Sequence, residues 1–277
     1  MQITHHPLEI PLGPLPITGF GIAVLLAFVI GQILSQQELT RRGYQKEADA
    51  IPDLILASVV GTLIGGKLYY AGIVTQDVSS LWGRAGFVFW GGFIGAVTAC
   101  WIMIRKKKLS FARFSDVAGI AIAAGYSVGR TGCWAVGDDY GKPWDGPLAV
   151  MFPEGAPAST AANMSQLFGT PIPAGMAPDT VLAVHPTQLY ETALGFVMFL
   201  ILWRFRKHKH LEGWLFGMYL ILAGAERFFI EFFRAKDDRF AMGLTLAQFI
   251  AITLAIAGVI VMQMRRRSGP GASPVAA

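Results

Sequence analysis

Seven apolar stretches constrain this chain more than any other feature. Each is close to the roughly 20 residues that a helix needs to cross the hydrocarbon core of a bilayer. They fall near 17–35, 54–74, 86–104, 115–136, 187–203, 213–231 and 243–264. A lipid interior offers no partner to free backbone polar groups, so such spans form helices whose hydrogen bonds close within the segment. Composition agrees, since 53% of the 277 residues are hydrophobic and 15% are charged. A soluble domain carries about 25% charge. The expected fold is all-α: a polytopic membrane protein with about seven transmembrane helices.

Seven spans put alternate loops on opposite sides, and Lys and Arg mark the cytoplasmic ones. One set of loops holds Arg41, Arg42 and Lys46, then Arg105, Lys106, Lys107, Lys108 and Arg113. It continues with Arg204, Arg206, Lys207 and Lys209 and ends with Arg265, Arg266 and Arg267. The other set holds only Arg84, Lys142, Arg234, Lys236 and Arg239, while Lys67, Arg130 and Arg227 lie within spans. The bias places the N-terminus outside and the C-terminus in the cytoplasm. It also makes 137–185, a Pro- and Gly-containing loop with few helical signals, a small outer head. That head is inserted into a single membrane domain of residues 1–267. The last residues, 268–277, read as a disordered cytoplasmic tail.

Residues 1–16 contain four prolines but no Lys or Arg. A cleavable signal peptide needs a positive n-region, so the first span is expected to be permanent. The net charge of +5 reflects topology and does not point to nucleic acid. Cys100 and Cys133 both sit in or beside apolar runs, which is no disulfide framework. HExxH, P-loop, dinucleotide and zinc-type spacings are absent from the sequence, so no metal or cofactor is expected.

Three charged constellations stand at the outer ends of spans. The first is Arg130 with Asp138 and Asp139, set among Gly129, Gly132, Gly137 and Gly141. Charge at the mouth of a span is costly and commonly functional, and glycines let backbone turn or approach a ligand closely. The alternative is a tight helix end whose arginine snorkels to the interface. The second is His185-Pro186-Thr187-Gln188-Leu189-Tyr190-Glu191. There a neutral imidazole is a candidate base, with Tyr190 and Glu191 placed to orient it or to pair with an arginine. The third is Glu226-Arg227 followed by Glu231 and Arg234. Arg227, Glu231 and Arg234 are spaced i, i+4, i+7 and are expected on one helix face. That is either a ladder that fixes packing or an arginine pair with one charge left for an anion. A guanidinium fork matches phosphate oxygens, so Arg130 and Arg227 from separate helices make a clamp suited to a phospholipid headgroup. Lys67 and Asp53 are expected in structural or headgroup-contact roles. Cys133 reads as packing rather than as a nucleophile, and His5, His6, His208 and His210 as solvated.

In this order the constellations resemble the bacterial prolipoprotein diacylglyceryl transferases. The resemblance runs from the first span to about residue 240. It rests on Gly129-Arg130-x-Gly132 with Gly137-Asp138, on the 185–191 segment and on Arg227-x-x-x-Glu231-x-x-Arg234. Gly65-Gly66-Lys67-Leu68-Tyr69 and Gly91-Gly92-Phe93-Ile94-Gly95 add two more segments. The resemblance implies a bacterial inner-membrane enzyme, with its N-terminus and the 137–185 head periplasmic and its C-terminus cytoplasmic, using phosphatidylglycerol and a preprolipoprotein signal peptide as substrates. Its diacylglyceryl group passes to the lipobox cysteine and glycerol 1-phosphate leaves. Arg130, Arg227, His185 and Asp138 are then the expected catalytic residues. Gly129, Gly132, Gly141, Tyr190, Glu191, Glu231, Arg234 and Lys67 are expected to bind substrate.

The chain departs from that family pattern at five places. Trp90 stands where the pattern has a histidine, Cys133 where it has asparagine, and Asp138 where it has glutamate. Phe20 replaces a tyrosine and Lys67 an arginine. Trp90 matters most, because the replaced histidine is a candidate base for the thiol. The departures keep two other readings open: a lipid transferase with the same donor and another acceptor, and a non-catalytic phospholipid-binding or transport protein.

Overall fold

A computed structural model describes residues 3–11, 17–83, 86, 88–173, 175–236 and 239–266. The 268–277 tail, with Arg84 and Arg267 of the charge count, lies outside the described residues. In chain order the first elements are β1 (Ile3–Thr4), β2 (Glu9–Ile10), β3 (Ile17–Thr18), α1 (Gly19–Arg41), α2 (Gln45–Asp49) and α3 (Ile51–Tyr69). Then come α4 (Phe89–Lys106), α5 (Phe111–Val136), β4 (Val150–Met151), α6 (Ala161–Gln166) and β5 (Ala183–Val184). The last are α7 (Thr187–Phe205), α8 (Trp214–Ile230), β6 (Arg239–Ala241), β7 (Leu244–Thr245) and α9 (Leu246–Met264).

The long helices fall where the apolar stretches predict them. By length and apolar composition, three described segments are able to cross a membrane: α1, the Gln45–Val74 run and α9. Large apolar side chains stand exposed along them, among them Leu25, Val29, Leu56, Leu63, Ile256 and Val259. A water-facing helix puts polar residues on that face; these surfaces suit lipid.

The chain divides into two compact units, Gln32–Val117 and the remainder, Met1–Gly31 with Ala118–Ala277. In the first, α3 and α4 meet through facing glycines. A Cβ on Gly61 would strike the Gly95 carbonyl oxygen, and one on Gly65 that of Gly91. Two Gly-x-x-x-Gly stretches thus let the helix backbones touch, the close packing that helices use where water provides no drive. Leu39, Ile51, Leu54, Ile104 and Phe114 form this unit's core. Lys107 pairs with Asp53 at 2.6 Å, a structural role for Asp53. Arg113 pairs with Glu47 and stacks on Tyr44.

The larger unit has two cores. Ile120, Ala123, Met198, Leu202 and Leu215 join α5, α7 and α8. The α8–α9 contact again runs through small residues, since Gly217 lies where a Cβ would approach the Gly258 oxygen at 2.9 Å. The second core belongs to the 137–185 segment: Tyr140, Val150, Phe152, Met164 and Val184 are all buried, together with Ala235. The segment therefore packs around a core of its own residues with Ala235, and its strands join the N-terminal arm in one sheet, in the order β1-β4-β5. Ile3 pairs in parallel with Val150, which pairs antiparallel with Val184.

The N-terminal arm corrects one expectation. His5 is buried, not solvated, and its ring lies 4.9 Å from both the Trp134 and Phe152 rings. Burial pushes its pKa below the usual histidine value, partly offset by a backbone hydrogen bond with Trp134. A short arm without helical period becomes a strand only because β4 is there to receive it. His6 does face solvent, 3.7 Å from Glu154, while His208 and His210 pack on Trp214.

Candidate active site

The site begins at the end of α5. Gly137, at φ +72°, ends that helix in the left-handed conformation that glycine adopts without strain. Its N–H donates to the Trp134 carbonyl at 3.1 Å, and the Asp138 N–H reaches back to the Cys133 carbonyl at 3.1 Å. Asp139 follows, also left-handed at φ +54°. This reversal turns both carboxylates back toward Arg130, about two helical turns earlier.

Arg130 is the hub. One of its Nη1 bonds goes to Asp139 Oδ2 at 2.9 Å and another to Cys133 Sγ at 3.3 Å, while Nη2 donates to Glu191 on α7. Arg130 is 11% exposed and Glu191 2%. Arg234 approaches the same two carboxylates, with Nη2 donating to Asp139 Oδ1 at 3.3 Å and Nη1 at 3.8 Å from Glu191 Oε1. Its Nε lies 3.8 Å from Glu231 Oε2, which Arg227 Nη2 meets at 2.6 Å. Glu231 is fixed from the other side by the Thr245 hydroxyl at 3.1 Å, and Thr245 also caps α9. Three arginines and three carboxylates thus make one connected group.

The grouping differs in detail from the sequence expectation. Arg234 shares Asp139 and Glu191 with Arg130, and Arg227 joins the group through Glu231. Arg227, Glu231 and Arg234 do not share one continuous helix face, because α8 stops at Ile230. The reason is a long-range pairing. Gly141 bridges Arg234, and the Lys142 N–H donates to the Phe233 carbonyl at 2.8 Å, which draws 231–234 out of the helix.

The α7 entry anchors the Asp-Asp turn. Thr187 Oγ1 donates to the Asp139 carbonyl at 2.7 Å and Gln188 Nε2 to that of Asp138 at 2.6 Å. Gly141 has no room for a side chain, since a Cβ would lie 2.8 Å from His185 Cβ and from Thr187 Cγ2. Gly132 is similarly closed by Ala23 and Phe20 of α1. Gly129 faces open space, so packing does not require a glycine there.

His185 stands at the edge of this group. Its ring stacks on Trp144 at 4.3 Å, and Nδ1 lies 3.3 Å from the Tyr190 hydroxyl. Burial and then the Lys142 charge hold its pKa below the usual histidine value, so the imidazole is neutral at pH 7. Tyr190 therefore faces the histidine, while its neighbour Glu191 faces the arginines. Burial raises the Asp138 carboxyl, partly offset by a hydrogen bond with Cys133. Burial also acts to raise Asp139, but Arg234 and Arg130 outweigh it and hold that carboxyl below the usual range.

Two buried groups carried no assignment in the sequence reading. Tyr126 donates to Glu226 Oε1 at 2.9 Å, and Glu226 lies within the field of Glu191, Arg227 and Arg130. An ionisable residue inside an apolar run is itself a functional signal, and Glu226 carried it. Lys67 belongs to the Gln32–Val117 unit, where its Nζ donates to the Gly83 carbonyl at 2.5 Å. Trp90 is in that unit too.

Comparison with known proteins decides the family. The family model for prolipoprotein diacylglyceryl transferase matches residues 7–264. The chain belongs to the prolipoprotein diacylglyceryl transferase family. The chain is similar to the phosphatidylglycerol–prolipoprotein diacylglyceryl transferase of Bordetella avium, 30% identical over 274 residues, 94% of this chain and 95% of that one. The enzyme of the same name from Rhodospirillum rubrum is 30% identical over 288 residues, 97% of this chain and 95% of its own. That of Stenotrophomonas maltophilia is 31% identical over 280 residues, with 95% and 92% covered. As a diacylglyceryl transferase family member, the chain is a membrane transferase.

Proposed function

We propose that this protein transfers the diacylglyceryl group of phosphatidylglycerol to the lipobox cysteine of preprolipoproteins. The observation that carries the reading is the convergence of Arg130 and Arg234 on Asp139 and Glu191, in a chain of this family. Guanidinium groups held in a buried, preorganised frame suit charge that grows on a departing phosphate, often the largest single effect in catalysis. In the reaction a cysteine thiolate attacks the glycerol carbon that bears the phosphate ester. The new carbon–sulfur bond is a thioether, the carbon–oxygen bond breaks, and glycerol 1-phosphate leaves with the electron pair. Arg130, Arg234 and Arg227 stabilise the phosphate. The leaving group is a weak base, so it needs no acid, but the thiol proton needs an acceptor.

His185 is our assignment for that acceptor. It is neutral at pH 7, borders the arginine group through Tyr190 and Glu191, and Trp90 provides no imidazole. The seven long helices among the described residues are assigned as seven spans of the inner membrane, with the N-terminus and the 137–185 head periplasmic and the C-terminus cytoplasmic. The charge distribution supports this orientation.

The test is mass spectrometry of a lipobox peptide incubated with purified protein and phosphatidylglycerol. A diacylglyceryl adduct on cysteine, absent from a serine-substituted peptide, is the expected result; an unmodified cysteine peptide contradicts the reading. Phe20, Trp90 and Cys133 favour as second reading a transferase with the same donor and another acceptor. That enzyme would release glycerol phosphate without modifying the peptide.

A further inference from the structure

Asp139 is placed unlike the other carboxylates of the site. Glu191 and Glu231 are almost fully buried, whereas Asp139 is 44% exposed. Its two oxygens go to two different arginines, Oδ2 to Arg130 at 2.9 Å and Oδ1 to Arg234 at 3.3 Å. One anionic group spanning two guanidiniums is the arrangement in which a phosphate presents two of its oxygens. The residue reaches it from a left-handed backbone at φ +54°. A non-glycine residue held there departs from the common backbone regions. Its main chain is pinned in that turn by Thr187 Oγ1 at 2.7 Å, which leaves only the side chain free to move.

We propose that Asp139 is a resident anion in a phosphate subsite formed by Arg130 and Arg234. It bridges the two guanidiniums and is displaced toward solvent when a phosphate oxyanion takes its place. The proposal rests on the reading that this arginine group receives the donor's phosphate, and it adds which two arginines do so and what the phosphate replaces. Two properties follow. With no phosphate bound, Asp139 adds a second counter-charge on the solvent side of two arginines that otherwise share the single buried Glu191, which limits the cost of holding two cations in a poorly solvated place. A ligand must also compete with a carboxylate already in position, so a weakly charged headgroup is rejected and product phosphate is helped to leave. Asp139 therefore acts as a specificity-determining residue.

The test compares wild type with Asp139→Asn and Asp139→Gly, both compatible with a left-handed backbone. Binding is measured by calorimetry in detergent with short-chain phosphatidylglycerol and, separately, with glycerol 1-phosphate. Removing the competing charge should tighten binding on the order of tenfold, the scale of a charge-assisted hydrogen bond. Tightening for both ligands assigns the site to the phosphate itself; tightening for the lipid alone assigns it to the intact headgroup. Unchanged or weaker binding in both variants overturns the proposal, and peptide modification by wild type then shows that the transferase reading still stands. Tighter binding in a protein that modifies no peptide keeps the Asp139 assignment and removes that reading instead.

Discussion

Arg130 on α5 and Glu191 on α7 form an ion pair in which neither partner has free access to water, at 11% and 2% exposure. A pair so buried is not a surface ornament. Its charges have given up hydration, and their mutual attraction with further hydrogen bonds must offset the loss. That extra bonding comes from Asp139 and Cys133 on one side and Arg234 on the other. The site's shape and its electrostatics are thus one construction.

The first prediction follows from that pair. Arg130→Ala strands Glu191 without its principal partner and should destabilise the protein by about 3–5 kcal/mol, the usual cost of breaking a buried pair from one side. Glu191→Gln in the same background should recover part of the loss. Thermal unfolding in detergent of both single variants and the double variant measures the coupling; additive effects would show that the two do not interact.

Glycines of the same motif should behave in opposite ways. Gly141→Ala forces a methyl against His185, Thr187 and the Phe233 carbonyl, and overpacking of this kind costs about 1–3 kcal/mol. Gly129→Ala meets nothing within 4 Å inside α5, so the lower backbone entropy of alanine should stabilise the helix by about 0.5–1 kcal/mol. Denaturant midpoints of the two variants check the contrast.

His185 gives a pH prediction. Burial first, and the Lys142 charge second, lower its pKa, so the unfolded chain binds the proton more readily than the folded one. The stabilising contribution is therefore complete above about pH 6.5 and is lost as pH falls from there through the lower folded value. Lys142→Gln removes the second cause and should move the His185 titration upward. Ring carbon shifts in histidine-labelled protein, assigned by difference from His185→Gln, report it.

Tyr126→Phe leaves the Glu226 carboxylate without its 2.9 Å donor. A buried acceptor so deprived costs about 1–3 kcal/mol, and Glu226→Leu in the same protein should restore stability rather than reduce it further. Unfolding of the single and double variants decides it.

Much of this was legible in the sequence because lipid imposes a simple rule: apolar runs of span length become helices, and ionisable residues inside them have a reason to be there. Arg130 and Glu191 could be nominated on that ground, and Arg234 by its place just beyond the sixth span. Their partnership could not, since it depends on a left-handed turn at Asp139 that follows a glycine cap. The placing of Arg227, Glu231 and Arg234 on one helix face fails for a similar reason. The periodicity of Arg227, Glu231 and Arg234 is local, whereas the pairing of 233–234 with 141–142 that breaks the helix is long-range. His5 reads as solvated in the sequence because a short arm without helical period carries no sign of the strand that will accept it. Glu226 was visible but unassigned, because its partner Tyr126 lies a hundred residues away.

The most direct test of the account is the rate of glycerol 1-phosphate release from phosphatidylglycerol by purified protein, with a cysteine or a serine lipobox peptide as acceptor. The account predicts release that depends on the cysteine and falls at least a hundredfold, on the order expected for loss of a preorganised oxyanion contact, in folded Arg130→Ala protein. Release that is equal with the serine peptide, or undiminished in that variant, would contradict it.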